Sequence, residues 1–246
     1  AGDKGDEISD YSFNFKLGNT TIVKSTSVFV YGAALDRAID ASSTDPMVRS
    51  LSYKNDLTAS LLTMSATTDF YDDATFDILV DNSIMSETYY AGDKGDEISD
   101  YSFNFKLGHT DIVKSTSVFF YSAALDRAVD ASSTDAMFRS LSYKGDENAH
   151  FKPATATTDF YDDATFDILI GDSIMSETYY AGDKGDEISD YSFNFKLGRT
   201  DIVKSTSVFV YGAALDRAID ASSTRQITRL LSCNNHPTAS LSTPST

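Results

Sequence analysis

The segment Ala-Gly-Asp-Lys-Gly-Asp-Glu-Ile-Ser-Asp-Tyr-Ser-Phe-Asn-Phe-Lys-Leu-Gly begins at Ala1 and returns at Ala91 and Ala181. The period is 90 residues, and residues 1–90 and 91–180 differ at 19 positions. The third copy runs for 66 residues, to Thr246. Self-similarity at a fixed period means several copies of one folding unit. A period of this length is long for a solenoid and ordinary for a small all-β domain. Any fold for the chain must therefore be one that can be repeated.

The differences between copies gather in residues 55–65 and 145–155, which read NDLTASLLTMS and GDENAHFKPAT. Short, Ser/Thr-rich, variable segments behave as connectors. This phase gives complete repeat domains over 67–156 and 157–246, and a repeat over 1–66 that lacks its first 24 residues. The other phase has three 66-residue cores joined by 24-residue linkers. It sits less well with the near-invariance and strand patterning of TTDFYDDATFDILVDNSIMSETYY.

Within one repeat, Phe76, Ile78 and Val80 alternate with Asp77, Leu79 and Asp81, the period of a half-buried strand ending at a turn. Residues 86–90 form a second extended piece, and 92–99 a polar, acidic turn. Tyr101, Phe103, Phe105 and Leu107 alternate with Ser, Asn and Lys. Residues 112–121 are a β-branched and aromatic run. Residues 123–131 (AALDRAVDA) are too short for a stable helix and read as a loop with about one turn. Met137, Arg139, Leu141 and Tyr143 make a last strand. Short strands at such spacing predict an all-β chain of small antiparallel β-sandwiches in tandem.

In that phase the repeat resembles the calcium-dependent xylan-binding carbohydrate modules. Asp69-Phe70-Tyr71-Asp72-Asp73 precedes Phe76-Asp77-Ile78-Leu79-Val80-Asp81-Asn82, in the manner of the family's Gly-Asp-x-Tyr loop and first strand. Asp159-Phe160-Tyr161 and the strand from Phe166 repeat it. The family's middle hairpin matches residues 101–107 and 112–120, and its closing strand matches the stretch from Thr134-Asp135 to Lys144-Gly145-Asp146. Ser122-Ala123 stands where the family has an Asn-Asp pair. The resemblance implies a jelly-roll-like β-sandwich, polysaccharide as ligand, Ca²⁺ as cofactor and an extracellular or cell-surface setting in a larger secreted protein.

The densest acidic clusters are Asp69, Asp72, Asp73 and their copies Asp159, Asp162, Asp163. Ca²⁺ takes six to eight oxygens, and closely spaced carboxylates on a turn supply them. Asp126, Asp130 and Asp135, with Asp216 and Asp220 in the third copy, are the residues that would complete such a site in the family fold. A solvated acidic loop is the competing reading. Tyr71 and Tyr161, with Tyr89 and Tyr90, are candidate platforms for sugar rings, against ordinary packing. The loop Gly-Asp-Lys-Gly-Asp-Glu lacks the EF-hand pattern and carries Lys4, Lys94 or Lys184, so it reads as a polar turn.

Catalysis is not expected. His109, His150 and His236 fall at three different repeat positions, and no Gly-x-Ser-x-Gly occurs. Cys233, at the position of Tyr53 and Tyr143, is expected to be a buried, inert thiol. A formal net charge of −17 argues against nucleic acid or an anionic membrane as partner. No run of about 18 apolar residues exists to insert in a membrane as a helix. Two further functions stay open: a spacer or adhesin stalk, and self-association. The repeat over 1–66 lacks its Phe76-type strand, and a strand from another chain would fill that open edge and build filaments.

Overall fold

A computed structural model describes residues 1–2, 7–56, 80, 82–145, 173–222, 224 and 226–234. The chain is all-β with antiparallel pairing, and no α-helix occurs among the described residues. It divides into two compact units, Ala1–Ser117 with Gly145–Glu147, and Val118–Lys144 with Asn148–Thr246.

The first compact unit contains β1 (Tyr11–Lys16), β2 (Asn19–Tyr31), β3 (Asp36–Arg37), β4 (Met47–Lys54), β5 (Ile84–Ala91), β6 (Ile98–Lys106) and the start of β7 (His109–Tyr121). Its strands lie in the order β1-β2-β4-β5-β6, with β3 against β2. The second compact unit contains the end of β7, then β8 (Met137–Lys144), β9 (Ile174–Ala181), β10 (Ile188–Lys196), β11 (Arg199–Tyr211) and β12 (Ile227–Asn234), with β8-β9-β10-β11-β12 side by side.

The period-2 alternation sorts each sheet into two faces. Register places Val28 opposite Leu51, Leu51 opposite Glu87 and Glu87 opposite Phe103. That face is buried, as are Tyr53, Ile84, Tyr101 and Phe105. The other face carries Ser27, Ser52, Ser86 and Asn104 in register. Its side chains bond one another laterally, as in Asn14 Nδ2 to Ser25 Oγ (3.2 Å) and Thr88 Oγ1 to Ser102 Oγ (3.1 Å).

The hairpin β1–β2 turns in two residues, Leu17-Gly18, with a register shift at Phe15. Gly18 takes φ +73°, which glycine adopts without strain. The expected strand at 101–107 is the core of β6, the run at 112–121 lies in β7, and 137–143 is β8. The AALDRAVDA segment is turn rather than helix, and its third copy holds only a 3₁₀ turn at Ala218–Asp220. The Phe76-to-Val80 strand lies outside the described residues except for Val80, which is buried.

One expectation is corrected. Cys233 is exposed, not buried. Tyr53 and Tyr143, at the same repeat position, are wholly buried because β5 and β9 pair alongside their strands. Among the described residues β12 pairs with β11 alone, so the same position opens to solvent.

Candidate functional site

β5 is the tail of one 90-residue copy, and it pairs on one side with β4 and on the other with β6. The same arrangement recurs at β8-β9-β10. These two seams are where consecutive copies meet, and their side chains form the most organised polar constellation among the described residues.

In the first compact unit, Arg49 donates from Nη1 to Glu87 Oε1 at 3.3 Å, and both side chains are largely buried. Its guanidinium carbon lies 4.6 Å from the Tyr89 ring centroid. Tyr89 stacks on Tyr101 at 4.3 Å, and Phe103 meets Tyr89 edge-on at 5.9 Å. In the second compact unit Arg139, Glu177, Tyr179, Tyr191 and Phe193 repeat this, with Arg139 4.5 Å from Tyr179 and the tyrosine rings 4.3 Å apart. A guanidinium over an aromatic face is attracted by the ring quadrupole, and more so when water is excluded. Burial pushes the Tyr89 and Tyr179 phenols far up, with the neighbouring glutamates Glu87 and Glu177 adding to it and Arg49 and Arg139 opposing it. Burial raises Tyr191 to about 12, with Arg139 opposing.

Beside each stack, the loop read as a polar turn clamps the preceding copy. Glu97 accepts the Met47 N–H at 2.9 Å through Oε1 and the Gly95 N–H at 2.9 Å through Oε2. Lys94 donates to the Ser43 carbonyl. In the second compact unit Glu187 accepts from Met137 (3.0 Å) and Gly185 (2.9 Å), and Lys184 donates to the Ser133 carbonyl. Gly92 sits at φ +118°, where a Cβ would lie 2.7 Å from the Asp96 carbonyl oxygen, so only glycine fits there. Ser50–Tyr90 and Ser140–Tyr180 hydroxyl pairs, each 3.1 Å, tie the opposite face.

The candidate calcium ligands are distributed differently. Asp69, Asp72, Asp73, Asp159, Asp162, Asp163, Tyr71 and Tyr161 lie outside the described residues. Asp126 accepts from Ser122 Oγ at 3.2 Å, and its backbone forms a bridge to Tyr121. Asp216 bridges to Tyr211 in the same way. Asp130 and Asp220 are exposed, with N–H groups bonded to the carbonyls of Arg127 and Arg217. Asp135 closes its own turn, accepting the Ser132 N–H at 2.9 Å. Among the described residues no group of three or more His, Cys, Asp or Glu is placed to hold a metal ion.

Sequence reasoning missed the Asp–Arg pairs that fasten the loop after the long strand. Arg37 donates from Nε to Asp10 Oδ1 at 2.9 Å and pairs also through Nη2, and Arg217 does the same with Asp190. The signal was present, since Asp10 and Arg37 recur at 90-residue spacing. The second compact unit also holds an open cavity of about 240 Å³ lined by Phe138, Arg139, Tyr179, Tyr180, Tyr191 and Ile219 among others. No protein-family model matches the chain, and neither does any curated protein or solved structure.

Proposed function

We propose that the chain is a non-catalytic structural array, a spacer or adhesin stalk at the cell surface, whose working part is the seam between copies. The observation that carries this is the duplication of the seam: two copies of the Arg–Glu–Tyr–Tyr stack and of the glutamate clamp agree within about 0.1 Å in their defining distances. Within each compact unit the strand that ends one copy pairs with the strand that opens the next, so each copy completes the sheet of its neighbour. The test is Arg139→Ala. It strands the buried Glu177 carboxylate without its cation, and the expected cost is about 3 kcal/mol in denaturant unfolding. A loss below about 0.5 kcal/mol would mean that the seam carries no mechanical load.

The second reading is calcium-dependent polysaccharide binding on a jelly-roll-like sandwich, which needs a second sheet against the Leu51–Tyr53–Ile84 face. The cavity rimmed by Phe138, Tyr180 and Tyr191 favours it, because aromatic rings flanked by Arg139 and Asp190 suit a sugar's apolar faces and hydroxyls. Melting temperature in millimolar Ca²⁺ against chelator, with retention on immobilised xylan, separates the two. The array reading expects no change in either, and a calcium-dependent rise with retention selects the binding module.

A further inference from the structure

Asn19-Thr20-Thr21 is the one Asn-x-Ser/Thr triplet in the chain, and its middle residue is not proline. That pattern is the acceptor motif for N-linked glycans, in which a hydroxyl two residues on can engage the asparagine carboxamide. It falls at the β1–β2 hairpin, where Lys16 pairs with Asn19 across the Leu17-Gly18 turn. The same positions hold His109 and Asp111 in the second copy, and Arg199 and Asp201 in the third. The side chains meet there too, His109 Nδ1 and Asp111 Oδ1 at 3.6 Å, Arg199 Nη2 and Asp201 Oδ2 at 2.6 Å. Only the first copy puts an amide and a hydroxyl at these two places.

The contact that the motif needs is formed. Asn19 Oδ1 accepts from the Thr21 N–H at 2.8 Å and from the Thr21 hydroxyl at 2.7 Å. A backbone N–H can only donate, so the carboxamide oxygen is the atom facing Thr21 and Nδ2 is turned the other way. Among the described residues Nδ2 donates to no acceptor. Two donors on Oδ1 draw electron density from the carboxamide, which makes an Nδ2 proton easier to lose. The place is also open. Thr20 and Thr21 are exposed, Asn19 is half-exposed, and nothing lies within 4 Å of where a Cβ on Gly18 would stand. This openness does not depend on a missing neighbour. In the other two hairpins the first strand is flanked by β5 or β9, yet His109 and Asp111 are 48% and 78% exposed, and Arg199 and Asp201 52% and 63%.

We propose that Asn19 is an acceptor for an N-linked oligosaccharide. Nδ2 attacks C1 of the first sugar of a lipid-pyrophosphate-linked oligosaccharide. The C1–O bond to the pyrophosphate breaks, its electron pair leaves on the phosphate oxygen, and the Nδ2 proton passes to a base of the oligosaccharyltransferase. No oxidant or reductant is consumed. The hairpin then holds a bulky, hydrated group in solvent. The first copy carries a mark that the second and third, with His109 and Arg199 at the same place, cannot carry. The proposal goes beyond the array reading and does not rest on it.

The test produces the full chain behind a cleavable secretion signal in eukaryotic cells and reads its intact mass before and after a peptide N-glycosidase. One glycan is expected, mapped to the tryptic segment 17–24, with aspartate left at position 19 after release. Thr21→Ala should abolish it, Thr21→Ser should keep it, and Thr20→Ala should leave it unchanged. The double variant Asn19→Arg, Thr21→Asp installs the third copy's pair. It should be secreted without a glycan and with the melting temperature of the deglycosylated parent, so that loss of the mark is not loss of the fold. The double variant His109→Asn, Asp111→Thr should gain a second glycan. A secreted chain unmodified at Asn19, or a glycan that survives Thr21→Ala, overturns the proposal. So does a second hairpin left unmodified in the last variant, since both hairpins expose the pair alike. The array reading fails separately, through Arg139→Ala.

Discussion

Strand β1 and the last six residues of β6 are identical in sequence and lie in the same compact unit, yet they occupy different environments. Tyr11 and Phe15 are 40% and 45% exposed, while Tyr101 and Phe105 are 6% and 7% exposed. Local propensity, turn chemistry and face alternation are the same for both. What differs is β5, which lies along β6 and has no counterpart beside β1 among the described residues. Burial in this fold is conferred by the neighbouring copy. An identical residue should therefore change its energetic weight with its place in the array.

The largest break of that comparison is Phe105→Ala set against Phe15→Ala. Removing a buried phenyl ring costs about 3–5 kcal/mol through lost burial and a residual cavity. The same deletion at a half-exposed ring should cost about 1 kcal/mol or less. Denaturant midpoints at constant m-value measure both. Equal costs would mean that the two strands are equally packed and that β5 contributes nothing to β6.

Alkaline titration sharpens the same point through the stacked rings. Burial first, then Glu97 and Asp10, raise Tyr31 to about 12, and burial raises Tyr191 to about 12 against an ordinary value of 10.0. The folded chain therefore holds these phenol protons more tightly than the unfolded chain does. Their contribution is full below pH 10 and is lost as pH rises from there towards 12. Loss of the sheet by circular dichroism should accompany the rise of tyrosinate absorbance in that window. Ionisation of all tyrosines near pH 10 with the sheet intact would contradict the buried stack.

Glu97→Gln tests the clamp with a smaller effect. The glutamine keeps one acceptor for the Met47 or Gly95 N–H but loses the charge, so about 1 kcal/mol is expected. The fall in melting temperature should be reproduced by Glu187→Gln in the second compact unit, where the partners are Met137 and Gly185.

Much of this was legible in the chain. The Tyr-x-Phe-x-Phe alternation gave β6, the β-branched run gave β7, and AALDRAVDA was correctly read as turn. Strand pairing was not legible, because it is non-local: the neighbour of Tyr101 is Tyr89 across a turn, and beyond it lies Arg49, some fifty residues back. The clamp escaped for the same reason. Nothing in Gly-Asp-Lys-Gly-Asp-Glu shows that its glutamate reaches the Met47 N–H rather than water or a cation. Asp135, taken as a calcium ligand from its place in the family fold, accepts the Ser132 N–H within its own turn, a local contact that residue type does not announce.

The smallest effect on stability belongs to Cys233, and it reports on the comparison most directly. At this repeat position Tyr53 and Tyr143 are buried alongside β5 and β9, whereas Cys233 on β12 is exposed. Native chain should therefore be alkylated at Cys233 nearly as fast as denatured chain, since access is not limiting there. Alkylation should change the unfolding free energy by no more than about 0.5 kcal/mol, as expected for a surface change. In the double variant Cys233→Ser, Tyr143→Cys, the thiol moves beneath β9 and should react only through opening of the sheet. Rapid native labelling at position 143 would show that β8 and β9 are not held together in solution, and the seam would lose its role.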